Sequence, residues 1–163
     1  ICCSVISEGG YNQFGTTQTA GTGTNTKRLS TAGTYYPAVS IRLASDRLDA
    51  IVFPRQIDVL SPSVNYYRWT LLQNATLTGA NWAGTSPSGT VEYDLAATAV
   101  SGGIEIQTGY ASSRELAQLS ATDFFQYQLG RTIAGVSDTV TLAIAATANN
   151  ADVLIELGWQ ELT

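Results

Sequence analysis

The sequence predicts an all-β fold, an antiparallel β-sandwich of about nine strands with the jelly roll as one form of it and a closed barrel as second choice. Three observations predict it. Apolar and polar residues alternate with a period of two in the most regular stretches. Clusters of Gly, Pro and Ser interrupt the chain at short intervals. No unit repeats at a spacing of about 20–50 residues, which sets propellers and solenoids aside.

The elements follow in order. Residues 1–7 read as a first strand, closed by Gly9-Gly10. Residues 14–34 are rich in Thr and Gly without a steady period, and read as a long loop carrying one short edge strand. Val39, Ile41 and Leu43 alternate with Ser40 and Arg42, the pattern of a strand with one buried face. Residues 50–53 and 56–60 read as two short strands separated by Pro54. Ser61-Pro62-Ser63 turns the chain into a strand over residues 64–73, and shorter strands are expected over 90–95 and 104–107. Ser112 with Glu115 forms a capping-box pattern, and Leu116 and Leu119 are three apart, so one short helical segment is expected within residues 112–127. Val140, Leu142, Ile144 and Ala146 alternate with Thr139, Thr141 and Ala143. Val153, Ile155, Leu157 and Trp159 alternate with Glu156, Gly158 and Gln160 to close the chain.

Composition narrows the function. The 163 residues suit a single domain spanning 1–163. Only 13% are charged, against about 25% in an ordinary soluble domain, while Ser and Thr supply about a fifth of the chain. The net charge is −5 and Lys27 is the sole lysine, a balance that repels phosphate backbones and argues against nucleic-acid binding. His is absent, which removes His-based acid–base chemistry, Ser-His-Asp and Cys-His arrangements, and most zinc sites. No apolar run approaches the ~20 residues of a membrane span, so no membrane insertion is expected.

The motifs that carry chemistry are weak. Cys2 and Cys3 are neighbours that cannot bridge without strain, and read as free thiols or as a link to another chain or to an upstream segment. Asn74-Ala75-Thr76 fits a glycosylation sequon. Glu92 and Asp94 share a strand face, Asp46 and Asp49 flank a turn, and Glu105 and Glu156 lie on polar strand faces. Nothing in the sequence sets a pair of them across a cleft, as glycoside hydrolysis requires, so these charges read as keeping strand faces and edges wet. Asp123, Asp138 and the turn of Asn149, Asn150 and Asp152 offer oxygens singly, without calcium-loop spacing. Gly21-Thr22-Gly23 and Gly102-Gly103 lack a phosphate-loop lysine. No catalytic residue, metal or cofactor is assigned.

Aromatics carry the strongest signal. Tyr35-Tyr36 and Tyr66-Tyr67 are adjacent pairs, with Trp69 and Trp82 beyond them. On the strand over 64–73, Tyr67, Trp69 and Leu71 share one face, and Tyr66, Arg68 and Thr70 the other. Tyr35, Tyr36, Tyr66, Arg68 and Trp82 are therefore the candidate contact residues. Internal packing, a protein interface and stacking on a sugar ring are the three readings open to them.

Several stretches carry a family resemblance. Ile1-Cys2-Cys3-Ser4-Val5-Ile6-Ser7-Glu8-Gly9-Gly10-Tyr11, with Phe14-Gly15, resembles a stretch of virion structural proteins of tailed bacteriophages. Ser40-Ile41-Arg42-Leu43, Tyr67-Arg68-Trp69-Thr70-Leu71, Asn74-Ala75-Thr76-Leu77-Thr78-Gly79-Ala80-Asn81-Trp82, Val91-Glu92-Tyr93-Asp94 and Gly109-Tyr110 resemble the same group in the same order. The resemblance implies a non-enzymatic component of a capsid surface, tail or fibre, located on the virion. It also implies a C-terminal domain of a longer chain, because relatives carry sequence before this signature. The expected partners are copies of itself, a trimer being the form expected of a fibre or surface knob, and other virion proteins. The segments 14–34 and 112–127 are the candidate contact surface. A host-surface carbohydrate-binding module is the alternative, and a glycan-depolymerising enzyme the third reading.

Overall fold

The computed structural model describes residues 15–62, 65–85, 89–112 and 127–162, together with the backbone of 117–119. The expected first strand and both cysteines lie outside the described residues. The described chain forms thirteen strands and no helix.

Nine strands build the frame. One sheet runs β1 (Thr16–Gly21), β13 (Ala151–Leu162), β4 (Ile51–Leu60), β11 (Ala117–Leu119), and β2 (Lys27–Leu29) continues β1 along β13. The other runs β3 (Tyr36–Leu43), β12 (Thr139–Ala146), β5 (Tyr66–Gln73), β10 (Ile104–Ser112). Every pairing is antiparallel. From β2 onward the chain crosses between these sheets at each step of the frame except from β5 to β10, which are neighbours in one sheet. That order is the double Greek key of a jelly roll. An excursion between β5 and β10 adds β8 (Val91–Asp94) and β7 (Ala83–Gly84) beside β3, and a separate ribbon of β6 (Thr76–Thr78) and β9 (Ala99–Ser101).

The period-two stretches behave as expected. Val153, Ile155, Leu157 and Trp159 of β13 face Val39, Ile41, Leu142, Ile144, Tyr67, Trp69 and Leu71 of the opposite sheet in one core. Burying each such side chain contributes about 1.5–3 kcal/mol. A polar tie also joins the sheets: the Tyr67 hydroxyl donates to the Asp152 carbonyl at 2.8 Å and shares a 2.9 Å bond with Ser61 Oγ. Tyr67 is fully buried. Tyr67→Phe is expected to lower stability by about 1–1.5 kcal/mol while leaving the strands intact, which urea titration followed by circular dichroism measures.

Four expectations are corrected. Pro54 does not divide two strands: residues 51–60 are one strand, in which Trp159 faces Pro54 and Gly158 faces Gln56. Arg55 is thus the extra residue of a bulge, the position where a strand tolerates proline, and it shifts the buried set from Val52 and Pro54 to Ile57 and Val59. The 14–34 stretch holds two strands, β1 and β2, because the long edge of β13 supplies ladder partners for Thr-rich chain without an apolar period. The helical segment expected within 112–127 is not seen where that stretch is described. Ser112 ends β10 and Ala117–Leu119 pairs with Ile57, Asp58 and Val59 of β4, whose open edge outweighs a weak capping signal; residues 113–116 and 120–126 lie outside the described residues. The strands exceed the expected nine because β6, β7 and β9 are two or three residues long, too short to show a period.

Candidate functional site

The outer face of the β3–β12–β5–β10 sheet divides into two regions. Over β3 and β8 it is covered. Asp94, only 2% exposed, accepts backbone N–H groups of Asn81, Ala96 and Ala97 at 2.6, 3.1 and 3.1 Å. Beneath lie Ser40 and Thr141, fully buried and joined by a 3.0 Å hydroxyl contact. Asp94 was expected on a wet strand face; three amide donors instead compensate its removal from water. Nearby, Lys27 Nζ donates to the Ala97 carbonyl at 3.2 Å. Burial lowers the Lys27 pKa, and the Asp94 charge partly offsets it.

Where β5 begins and β12 and β10 end, the face opens; farther along, Thr70 and Ala143 are covered too. Tyr35, Tyr66, Arg68 and Tyr110 surround a groove of about 560 Å³, floored by Ala145 and Ala146. Two of the rings project into solvent, Tyr66 at 66% and Tyr110 at 78% exposure. Ladder register brings them together: Tyr110 stands opposite Arg68, Arg68 opposite Ala145, and Tyr66 lies two residues from Arg68 on the same face. The Arg68 guanidinium lies 5.9 Å from the Tyr35 ring centroid, donates to Thr108 Oγ1 at 3.2 Å and meets Glu105 Oε2 at 3.5 Å. Glu105 also accepts from the Thr70 hydroxyl at 3.1 Å. Burial raises the Tyr35 pKa, with Arg68 opposing and Glu105 and Tyr110 adding to the rise.

The groove wall is tied down. Gly33 N–H donates to the Ala146 carbonyl at 2.9 Å, and Ala32 N–H to Asn149 Oδ1 at 2.8 Å. The Thr147 N–H and hydroxyl both donate to the Tyr66 carbonyl, at 3.0 and 3.2 Å. The turn that presents Tyr35 and the strand start that presents Tyr66 are thus fixed to the end of β12, which reduces the ordering cost of binding.

Of the five candidate contact residues, Tyr35, Tyr66 and Arg68 meet in this groove. Tyr36 does not: it packs against the core, and its hydroxyl accepts the Thr31 N–H at 3.2 Å; hydrogen bonding from the Thr31 side chain, and less from that N–H, lowers its pKa. Trp82 lies elsewhere, half-buried, with the Arg42 guanidinium 4.2 Å above its ring. Tyr110 was not among the candidates. Its place opposite Arg68 depends on the β5–β10 register, in which Glu105 faces Leu72 and Gln107 faces Leu71, leaving Ile106 as a bulge.

The remaining carboxylates are dispersed. Glu92 pairs with Arg42 at 2.7 Å, Asp152 with Arg28 at 3.8 Å, and Glu156 stands exposed on the other sheet. Asp138 accepts from the Asn74 and Gln73 amides at 2.7 and 3.2 Å. Asn74, the sequon residue, has a left-handed φ of 53° and also accepts the Thr139 N–H at 2.9 Å, so its side chain holds a turn. Among the described residues no three acidic, His or Cys side chains group as metal ligands, and no helix is long and apolar enough to cross a membrane. No protein family, curated protein or solved structure shows significant similarity to the chain.

Proposed function

We propose that the domain is a structural component of a tailed-phage virion that acts through protein–protein contacts, first with copies of itself and then with other virion proteins. Three lines support this reading. The sequence segments named above resemble such proteins. The strand order is that of the jelly roll, an architecture used by capsid and lectin domains. The third line carries the proposal. Strand β10 is nine residues long, pairs only with β5 among the described residues, and shows Ile104, outside the groove, at 66% exposure.

A long edge strand with exposed apolar side chains invites pairing with another chain. A neighbouring subunit in a symmetric particle supplies that partner. The contact is expected to bury roughly 1,000 Å² or more in total. Ile133, fully exposed, and Val136, at 61%, stand near the tip of the turn before β12 as a further apolar point of contact.

Purified protein is expected to have the mass of a homo-oligomer, a trimer, in light scattering, and antibodies raised against it are expected to label intact particles. Ile104→Lys places a charge in the contact and is expected to shift the mass to that of the monomer. A wild-type monomer that is absent from purified particles overturns the reading.

A further inference from the structure

The groove on the outer sheet has a chemistry of its own, separate from the edge contact. Its floor is β12 and β5, interior strands paired on both sides, so their backbone N–H and C=O groups are already used in ladders. An occupant cannot add as a strand there; side chains must recognise it. The side chains lining it are aromatic rings and the Arg68 guanidinium, whose ion partner Glu105 stands beside the groove. Arg68 and Glu105 offset each other's charge, and both remain partly exposed, at 42% and 47%. Their 3.5 Å separation is longer than a tight charge-assisted bond, so donors and an acceptor stay accessible beside the rings.

Rings that cover apolar C–H faces, next to paired donors and acceptors for vicinal hydroxyls, match a saccharide. The near balance of charge matches a neutral one. The volume of about 560 Å³ is within the range of small-ligand sites, and the pinned walls make the groove preformed. We propose that the groove formed by Tyr35, Tyr66, Arg68 and Tyr110 is a binding site for a neutral saccharide. Tyr66 and Tyr110 stack on sugar rings, and Arg68, its charge offset by Glu105 beside the groove, bonds the hydroxyls.

The test titrates the full chain, by saturation-transfer NMR and calorimetry, with homo-oligomers of glucose, galactose, mannose, rhamnose and N-acetylglucosamine, and with a proline-rich peptide. At least one oligosaccharide is expected to bind saturably. Tyr66→Ala and Tyr110→Ala are each expected to weaken it about tenfold, with melting temperatures unchanged because both rings are exposed. Asp46→Ser, exposed beyond the far end of β3 from Tyr35, is expected to bind as the wild type does. The proposal is overturned if no oligosaccharide binds, if binding survives both tyrosine substitutions, or if the peptide alone binds. None of these outcomes alters the oligomer mass or particle labelling that test the structural role.

Discussion

Gly109→Ala is expected to lower the stability of the fold by about 3 kcal/mol, at the upper end of ordinary overpacking. Gly109 lies directly opposite Trp69 on the buried side of β10. A methyl group at that position would come within 2.4 Å of Trp69 Cζ2, 2.6 Å of Cε2 and 2.9 Å of Nε1. The indole is 1% exposed and held in the core, so it cannot swing aside as a flexible chain end would. An aromatic ring laid across an edge-strand glycine compensates for the missing side chain of that glycine. Urea titration monitored by tryptophan fluorescence measures the loss. Adding Trp69→Leu to Gly109→Ala is expected to cost less than the two single changes summed, since the clash is shared. Full additivity would show that the ring and the glycine are not coupled.

Glu161→Ala is the second large effect, expected at about 3 kcal/mol or more. Glu161 continues the inward face of β13 beyond Trp159 and is only 5% exposed. Its carboxylate accepts the Thr90 hydroxyl at 2.5 Å, the Thr90 N–H at 3.3 Å and the Trp159 indole N–H at 2.9 Å. Thr90 enters β8 and Glu161 ends β13, so one side chain joins the two sheets at their rim. Removing it leaves three donors without this acceptor in a buried setting, and each orphaned group costs about 1–3 kcal/mol. Glu161→Gln retains an acceptor oxygen and is expected to lose less. Equal losses for the two variants would show that burial of the chain stem, rather than its hydrogen bonds, supplies the stability.

The strands legible in the sequence are those whose two faces differ. β3, β12 and β13 alternate strongly because their inward residues meet in the core. Tyr66 and Arg68 were legible as one outward face for the same reason. What escaped depends on pairing partners, which a single chain does not display. The bulge at Arg55 joins two apparent strands, and β11 forms because β4 has an open edge. In the groove, Tyr35 arrives from the turn before β3 and Tyr110 from β10, beyond the whole excursion that follows β5, brought opposite Arg68 only by ladder register. Tyr36 and Trp82 were grouped with them by residue type, yet one serves the core and the other stacks on Arg42.

The excursion between β5 and β10 leaves the sheet at Gln73 and returns at Ile104, and these two residues face each other as a ladder pair. Its base is therefore already closed by the scaffold, and the β6–β9 ribbon beyond that base can lengthen or shorten at small entropic expense. The fold therefore permits this crest to be exchanged for another while the strand order underneath is kept, much as a handle is refitted to an unchanged tool.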